Sequence, residues 1–472
     1  LAGTLVAAWL ITVVPPNNND SISTHMSRVG YWLQYGSFNP WPTQKLWQVI
    51  YPVNAQAQIL WLVLFTRSDR LVGFVQWLAQ FAAAISIFGL ARLLRASRAQ
   101  ALFTGLIFLT FPIVNLQSST TQNDLVPAAL FAASFYLFFY AARQRSTAGM
   151  ILAGLALGLG IGTKQTIFLL LPGYGLGVLL AWLVYKQVDF RRVLAFCAST
   201  LVSFLLAGSA IFFINYAEYG NPIGPPEKVA ESTRSFASPA TFLLVNSSRF
   251  LYQMADPGGL PESLVKTGIA LKAAVARPFF DLLGLPLESA TAVAHQHVFD
   301  YEMRQYLQEE QAWYGLIGFL ALVPLPLWGL ISGIRRRDPL RITIFLVCLG
   351  FLVSIILFKK GWTPTQGRYF MACVAAATPL LAFWLRRGWG RGLGLLLMAL
   401  AVGVMLRATL TNPAKPLRDI RAIYPPNPYI ETIYKLDRIQ LLTLQSGGTA
   451  GLCRLVDREV PLDASLGIAT QG

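Results

Sequence analysis

The chain has 472 residues, of which 55% are hydrophobic and only 13% are charged, and its mean hydropathy is +0.52. This composition excludes a disordered chain and disfavours a soluble globular protein. The formal net charge of +16 does not indicate a nucleic-acid partner, because the basic residues lie mainly in short loops between apolar segments, where they report membrane topology.

Apolar segments of about 18–22 residues recur along the chain, and a helix of about 20 residues crosses the hydrocarbon core of a bilayer. Basic residues follow alternate segments, which is the positive-inside pattern that marks cytoplasmic loops. We therefore predict an all-α polytopic membrane protein with its N-terminus inside and its C-terminus outside. The eleven predicted spans lie at about 1–14, 70–91, 100–115, 125–142, 148–163, 165–185, 193–214, 311–333, 342–358, 369–385 and 392–410. Leu1 falls inside the first span, so we expect further residues upstream of it.

Two predicted outer loops are long. The loop at 15–69 contains two predicted juxtamembrane helices, at about 20–36 and 55–68, and the loop at 215–310 is too long for a plain connector. The first helix has an apolar stripe suited to the bilayer surface and a polar face opposite it: Ile22, Met26, Val29 and Leu33 against Asp20, Thr24, Arg28 and Tyr31. We expect residues 411–472 to form an outer segment of a small, incomplete α/β domain, with a strand in REVPLDASLGIATQG.

Two acids, Asp20 and Asp124, each lie just outside the end of an apolar segment, and the topology places both on the outer rim. The simplest interpretation is that each caps the helix that follows it. The functional interpretation makes Asp20 a general base at the membrane–water border, where partial burial raises the pKa of a carboxylate. The two roles are compatible, because a cap holds the carboxylate in place. His25 is assigned only to the polar face of the first-loop helix.

Further charged residues share this rim, and each has a simple interpretation. Lys164 in GIGTKQT can snorkel to the interface, Arg368 in TQGRYF can anchor there beside Tyr369, and Glu309 and Glu310 suit the positive end of a helix dipole. Several acids and bases on one rim together favour a site that handles a phosphate and a hydroxyl group.

Two other patterns carry less information. His295 and His297 form an H-x-H pair without further spacing typical of a metal site. Gly154, Gly158 and Gly162 are spaced by four, with no strand before them and no Walker spacing after them. These glycines therefore predict close helix packing rather than a nucleotide-binding loop.

Four stretches follow one another in a characteristic order: NDSISTHMSRVGYWLQYGS, SSTTQNDLVPA, GLALGLGIGTKQT and GWTPTQGRYFMA. In this order and topology they resemble the GT-C superfamily of polyprenyl-phosphate-sugar-dependent glycosyltransferases, in particular the bacterial branch akin to protein O-mannosyltransferases and lipid A aminoarabinose transferases. EEQAWYGLIGF is a further similar element. The resemblance covers most of residues 1–410, which it identifies as one GT-C-like transmembrane domain beside the segment 411–472.

The resemblance implies an enzyme of the bacterial inner membrane that moves a sugar from a polyprenyl-phosphate donor to an acceptor hydroxyl on the extracytoplasmic face, with inversion. It assigns catalytic roles to Asp20 and Asp124, and donor-phosphate binding to Lys164 and Arg368. Protein mannosyltransferases carry an adjacent acidic pair in the first loop, whereas Ser21 follows Asp20 here. The acceptor therefore stays open among a lipid, a glycan and a protein.

We expect Arg28 and Glu310 to support these catalytic and donor-binding residues. Some oligosaccharyltransferase relatives hold a metal with several acids, so the cofactor is either none or a divalent metal bound by Asp20, Asp124 and Glu310. Membrane lipids and other subunits of a membrane complex are further expected partners.

Two alternative functions stay open at this point. One is a non-catalytic scaffold subunit with the same fold, since a fold does not establish an activity. The other is a lipid or sugar transporter, a class that tends to show internal repeats and ionisable residues at mid-membrane. The sequence shows no internal repeat, and its acids lie at the rim.

Overall fold

The computed structural model describes residues 2–227, 239–288, 298–359, 361–386, 388–421, 423, 430–445 and 449–461. Within these ranges the chain folds into helices and contains no strand. Eight helices are long and apolar enough to cross a membrane: Phe74–Leu93, Leu125–Gln144, Gln165–Val184, Phe190–Ala207, Gly315–Arg336, Pro339–Phe358, Pro364–Leu385 and Gly390–Thr411. The protein is an integral membrane protein, and the predicted all-α polytopic class is confirmed.

The remaining three predicted spans take other forms. Those at 1–14 and 148–163 correspond to the shorter apolar helices Ala2–Val13 and Thr147–Ile161. The one at 100–115 is divided into Arg98–Phe108 and Pro112–Gln117, because a proline lacks the N–H that would continue a helix and is favoured in the first turn of a new one. The total of eleven crossings therefore stays a prediction.

Two spans form the centre of the bundle. In Leu125–Gln144 and Pro364–Leu385, 72% of the apolar stretch is buried, against 50% or less in the other six spans of the described chain. Asp124 immediately precedes the first of these helices, and Arg368 lies near the start of the second. Both residues therefore stand near the middle of one end of the bundle, which we call the site face.

The spaced glycines pack helices closely, as their pattern predicts. A Cβ atom on Gly154 would clash with the carbonyl oxygen of Phe196, and one on Gly158 would clash with that of Thr200. Only glycine lets the backbones of Thr147–Ile161 and Phe190–Ala207 approach this closely.

The segments outside the spans are also helical. Among the described residues, the first loop contains a π-helix and three α-helices, the second loop contains three α-helices, and the C-terminal segment contains a short 3-10 helix and two α-helices. In chain order they are Ser21–Met26, Ser27–Tyr35, Trp47–Ile50, Asn54–Thr66, Ala210–Tyr219, Pro239–Met254, Glu262–Leu282, Ile433–Lys435, Arg438–Thr443 and Ala450–Glu459.

The C-terminal segment packs on the start of the chain. Ile433 and Leu441 lie in one apolar cluster with Leu10 and Val14. The side-chain amide of Asn17 donates to the carbonyl of Leu441 at 3.0 Å. The strand predicted in REVPLDASLGIATQG begins within the helix Ala450–Glu459, and residues 462–472 lie outside the described residues.

Candidate active site

Asp20 forms an ion pair with Arg368 on the site face. Asp20 precedes the π-helix Ser21–Met26, and Arg368 lies in the 3-10 helix Pro364–Phe370 that opens a central span. Asp20 makes no side-chain cap hydrogen bond. Asn18 Oδ1 instead accepts from the backbone N–H of Ser21 at 3.0 Å. The interpretation of Asp20 as a helix cap is therefore wrong, and its carboxylate is available to a cation.

Asp124 forms a second ion pair, with Lys164. Asp124 also makes no side-chain cap hydrogen bond. The first backbone N–H groups of the following helix, at Leu125 and Val126, donate to Gln76 Oε1 at 2.9 and 3.3 Å. The capping interpretation is wrong here too, because a glutamine of a neighbouring span satisfies these donors.

The ring of Tyr369 touches both cations. Lys164 Nζ and Arg368 Cζ each lie 5.2 Å from its centroid, within the range of a cation–π contact. Tyr369 therefore joins the two ion pairs into one cluster of alternating charges.

A cavity of about 310 Å³ opens beside this cluster. Its wall includes ionisable and aromatic side chains of the first loop and of two spans: Asp20, His25, Arg28, Lys164, Arg368 and Tyr369. The volume lies at the lower end of the range of small-molecule sites, roughly 300–1,000 Å³. Asp124 does not line the cavity and reaches it only through Lys164.

Arg28 is fully buried in a cage of backbone carbonyls. It donates to Gln48 O at 2.5 Å, Tyr51 O at 3.1 Å and Pro52 O at 3.2 Å. Burial lowers the pKa of Arg28 to about 9, so the side chain stays charged at neutral pH. None of the acids in the described ranges forms an ion pair with it. Arg28 thus holds the backbone at 47–52 in place and forms part of the cavity wall.

His25 is a cavity residue that sequence reasoning assigned only to a polar face. Its Nδ1 contacts the amide of Gln56, and burial lowers its pKa to about 3. The imidazole is therefore neutral at physiological pH. The π-helix Ser21–Met26 accounts for this orientation, because its wider turn brings Asp20, His25 and Arg28 towards one cavity.

Glu309 and Glu310 hold different parts of the site. Glu310 Oε1 accepts from the backbone N–H of Asp20 at 3.0 Å. Glu309 is completely buried, and its carboxylate lies 2.7 Å from Lys415 Nζ. Its carbonyl accepts at 3.1 Å from the amide of Gln117, which also donates to the carboxylate of Asp124 at 3.1 Å. This pair therefore braces the segments that carry both aspartates.

The helix-dipole interpretation of these two glutamates is wrong. The helix that follows begins at Gly315 and has no acid in its first turn. A carboxylate several residues earlier is too far from the helix end for its dipole to matter, because the effect falls off within the first turn.

The pKa of Asp20 is lowered, which corrects the expectation from the sequence. Burial raises it, but neighbouring groups, chiefly the positive charge of Arg368 and its hydrogen bond to the carboxylate, lower it by more in total. Burial and the neighbouring charge of Asp20 raise the pKa of Glu310. Asp20 is therefore an ionised carboxylate paired with Arg368.

The acids do not converge on a common metal site. No group of three His, Cys, Asp or Glu side chains suited to a metal occurs among the residues that the structure describes. Asp20 and Asp124 each face a cation, and Glu310 binds a backbone N–H. As arranged, these three side chains do not form the oxygen cage that a divalent metal requires. His295 and His297 lie outside the described residues.

Comparison with known proteins gives matches in sequence and in fold. Residues 52–212 match the family model of the dolichyl-phosphate-mannose-protein mannosyltransferases. The chain superposes with a TM-score of 0.51 on two crystal structures of ArnT from Cupriavidus metallidurans, one bound to undecaprenyl phosphate and one in the apo state. The fold is that of the GT-C glycosyltransferases.

The resemblance to the GT-C superfamily is thus confirmed, although the similarity in sequence is low. Identity to the two ArnT structures is 15% and 14%, over 97% of this chain and 71% of theirs. The Archaeoglobus fulgidus oligosaccharyltransferase in its apo form shares the GT-C fold with a TM-score of 0.50 and 12% identity, over 86% of this chain and 55% of that chain. The curated protein sequences contain no match.

Proposed function

We propose that the protein transfers a sugar from a polyprenyl-phosphate donor to an acceptor hydroxyl at the outer face of the bacterial inner membrane. The observation that carries the proposal is one cavity whose wall presents the carboxylate of Asp20 beside the cations Arg368 and Lys164. The undecaprenyl phosphate in an ArnT crystal structure supports a polyprenyl phosphate as the lipid part of the donor. The positive-inside pattern supports the outward orientation.

In this proposal, the donor phosphate binds at the two ion pairs, Asp20–Arg368 and Asp124–Lys164. Arg368 and Lys164 form charge-assisted hydrogen bonds with phosphate oxygens, and Arg28 adds a positive charge that no acid of the described chain neutralises by an ion pair. When the phosphate binds Arg368 in place of Asp20, the carboxylate of Asp20 loses its ion-pair partner, and the pKa of Asp20 rises. Donor binding thereby converts Asp20 from an ion-paired group into a stronger base.

Transfer then follows in a single displacement. Asp20 accepts the proton of the acceptor hydroxyl while that oxygen attacks the anomeric carbon from the face opposite the phosphate. The bond from the anomeric carbon to the phosphate oxygen breaks, and its electron pair stays on the phosphate. Arg368 and Lys164 stabilise the charge that develops there. One displacement inverts the anomeric configuration, and no step requires a metal.

The test is sugar transfer by the purified chain in lipid vesicles with a panel of polyprenyl-phosphate sugars. We expect transfer with inversion from at least one donor, loss of transfer in Asp20→Asn, and wild-type transfer in the control Asp69→Asn. Asp69 pairs with Arg438 at the surface. Transfer from no donor, or equal transfer by Asp20→Asn, would contradict the proposal and leave the scaffold or the transporter as the better interpretation.

A further inference from the structure

The helix Glu262–Leu282 in the second outer loop has an apolar face that is not packed against the protein. Each of five large apolar side chains on it is more than half exposed: Leu264 53%, Leu271 64%, Val275 67%, Phe279 55% and Leu282 86%. At 3.6 residues per turn they fall within a sector of about 80°. We call these five residues the stripe.

The rest of the helix surface is of two kinds. Val265 and Ala273 are buried against the protein, and Lys272 on the same side donates to the carbonyls of Tyr252 and Ala255 at 3.2 and 3.1 Å. The remaining sector is exposed and mostly polar, with Ser263, Lys266, Thr267, Arg277 and Asp281. The contacts of the buried sector fix the rotation of the helix, so the stripe is held outward.

Contacts with a spanning helix fix the depth of this helix. Glu262, its first residue, binds Arg304 at 2.6 Å and Arg407 at 3.0 Å. Arg407 belongs to the span Gly390–Thr411 and lies four residues, or about 6 Å, from the end of that span on the site face. Just before the helix, Gly259 packs on the side chain of Val404, one turn deeper in the same span. The helix therefore starts at the level where the span leaves the hydrocarbon core.

We infer that Glu262–Leu282 is an interfacial membrane helix whose stripe enters the lipid leaflet on the site face. An apolar stripe of this size beside a polar sector is the pattern of helices that lie in the plane of the interface. A water-exposed position would leave five large apolar side chains in one patch, which stable surfaces avoid. The helix thus anchors the second outer loop to the bilayer. The inference does not depend on the proposed catalytic activity.

Fluorescence quenching by lipids tests the inference in the full chain. An environment-sensitive fluorophore is attached to a single cysteine at Val275, or at Ala270 in the exposed polar sector as the control. The background replaces the native cysteines by alanine: Cys197, Cys348, Cys373 and Cys453. The labelled protein is reconstituted in vesicles with or without lipids brominated on their acyl chains.

We expect brominated lipid to quench the probe at position 275 at least twofold and to leave the probe at 270 nearly unchanged. A probe at Leu264 repeats the measurement at the other end of the stripe, so one badly tolerated label does not decide the result. Equal quenching at 270 and 275 would overturn the inference. Absence of quenching at both stripe positions would also overturn it, whether water or another part of the protein covers them.

Discussion

The ion pair between Asp20 and Arg368 joins residues 348 positions apart in the sequence and closes one wall of the cavity. It has a direct consequence for the chemistry. Arg368 lowers the pKa of the carboxylate that we propose as the base, and the same guanidinium is the natural partner of a donor phosphate. Binding of the donor and activation of the base therefore compete for one cation, which couples the two events.

The pH dependence of transfer reports this coupling. In the free enzyme, the charge of Arg368 lowers the pKa of Asp20; in the donor complex, the phosphate neutralises that charge and the pKa rises. The acid limb of kcat, which reports the complex, is therefore expected at higher pH than that of kcat/KM, which reports the free enzyme. In Arg368→Gln the acid limb of kcat/KM should move to higher pH, towards that of kcat, and transfer should fall about 10²–10³-fold. An acid limb of kcat/KM that stays at its wild-type pH in Arg368→Gln would contradict this explanation.

Substitutions of Lys164 and Asp124 should have coupled effects on transfer, because only the lysine contacts the donor. Lys164→Met removes a cation from the cavity wall, whereas Asp124→Asn only frees that cation to move. We expect a larger loss of kcat/KM for Lys164→Met than for Asp124→Asn. The double variant should be close to Lys164→Met alone, because neighbours in one network are not additive. Independent, additive losses would show that Asp124 has its own contact with substrate.

Glu310 offers a test between positioning and metal binding. Its carboxylate oxygen accepts from the N–H of Asp20, and the amide oxygen of glutamine can do the same. We expect Glu310→Gln to retain transfer within about threefold, and Glu310→Ala to lose about tenfold, as the loss of about 1.4 kcal/mol implies. A glutamine variant as inactive as the alanine variant, together with inhibition by a chelator, would support a metal ligand instead.

The buried pair Glu309–Lys415 is expected to matter for stability. Both side chains are almost completely buried, so Lys415→Met leaves an unpaired carboxylate in the protein interior. Such a change costs about 3–5 kcal/mol, and it should lower the thermal midpoint of the purified protein in detergent. The double variant Glu309→Gln with Lys415→Met should recover part of that loss. A single variant as stable as the wild type would mean that water reaches Glu309.

The spans were largely predictable from the sequence because each spanning helix satisfies its own backbone hydrogen bonds and needs an apolar surface along its length. The same topology predicts that Asp20, Asp124, Lys164 and Arg368 lie on one face of the membrane. The actual pairing of acids with cations depends on side-chain positions, for which a single sequence carries no pattern.

Capping was predicted wrongly for the same reason. A cap is normally recognised from the residue next to the helix, but Gln76 satisfies Leu125 from a separate span, 49 positions upstream in the sequence. The inward orientation of His25 and Arg28 depends on the π-helical turn at Ser21–Met26, and a wider turn has no clear sequence signature. Non-local contacts and irregular turns thus determine the helix capping and these side-chain orientations, which local sequence patterns do not indicate.

The most direct test of the central claim measures donor binding and sugar transfer together in wild type and Asp20→Asn. We expect Asp20→Asn to bind polyprenyl phosphate at least as tightly as the wild type, because Arg368 no longer has a competing carboxylate. We also expect sugar transfer to fall by about 10²–10⁴-fold, as for the loss of a general base. Transfer at the wild-type rate, or a loss of transfer fully explained by a loss of donor binding, would contradict the role of Asp20 as the base.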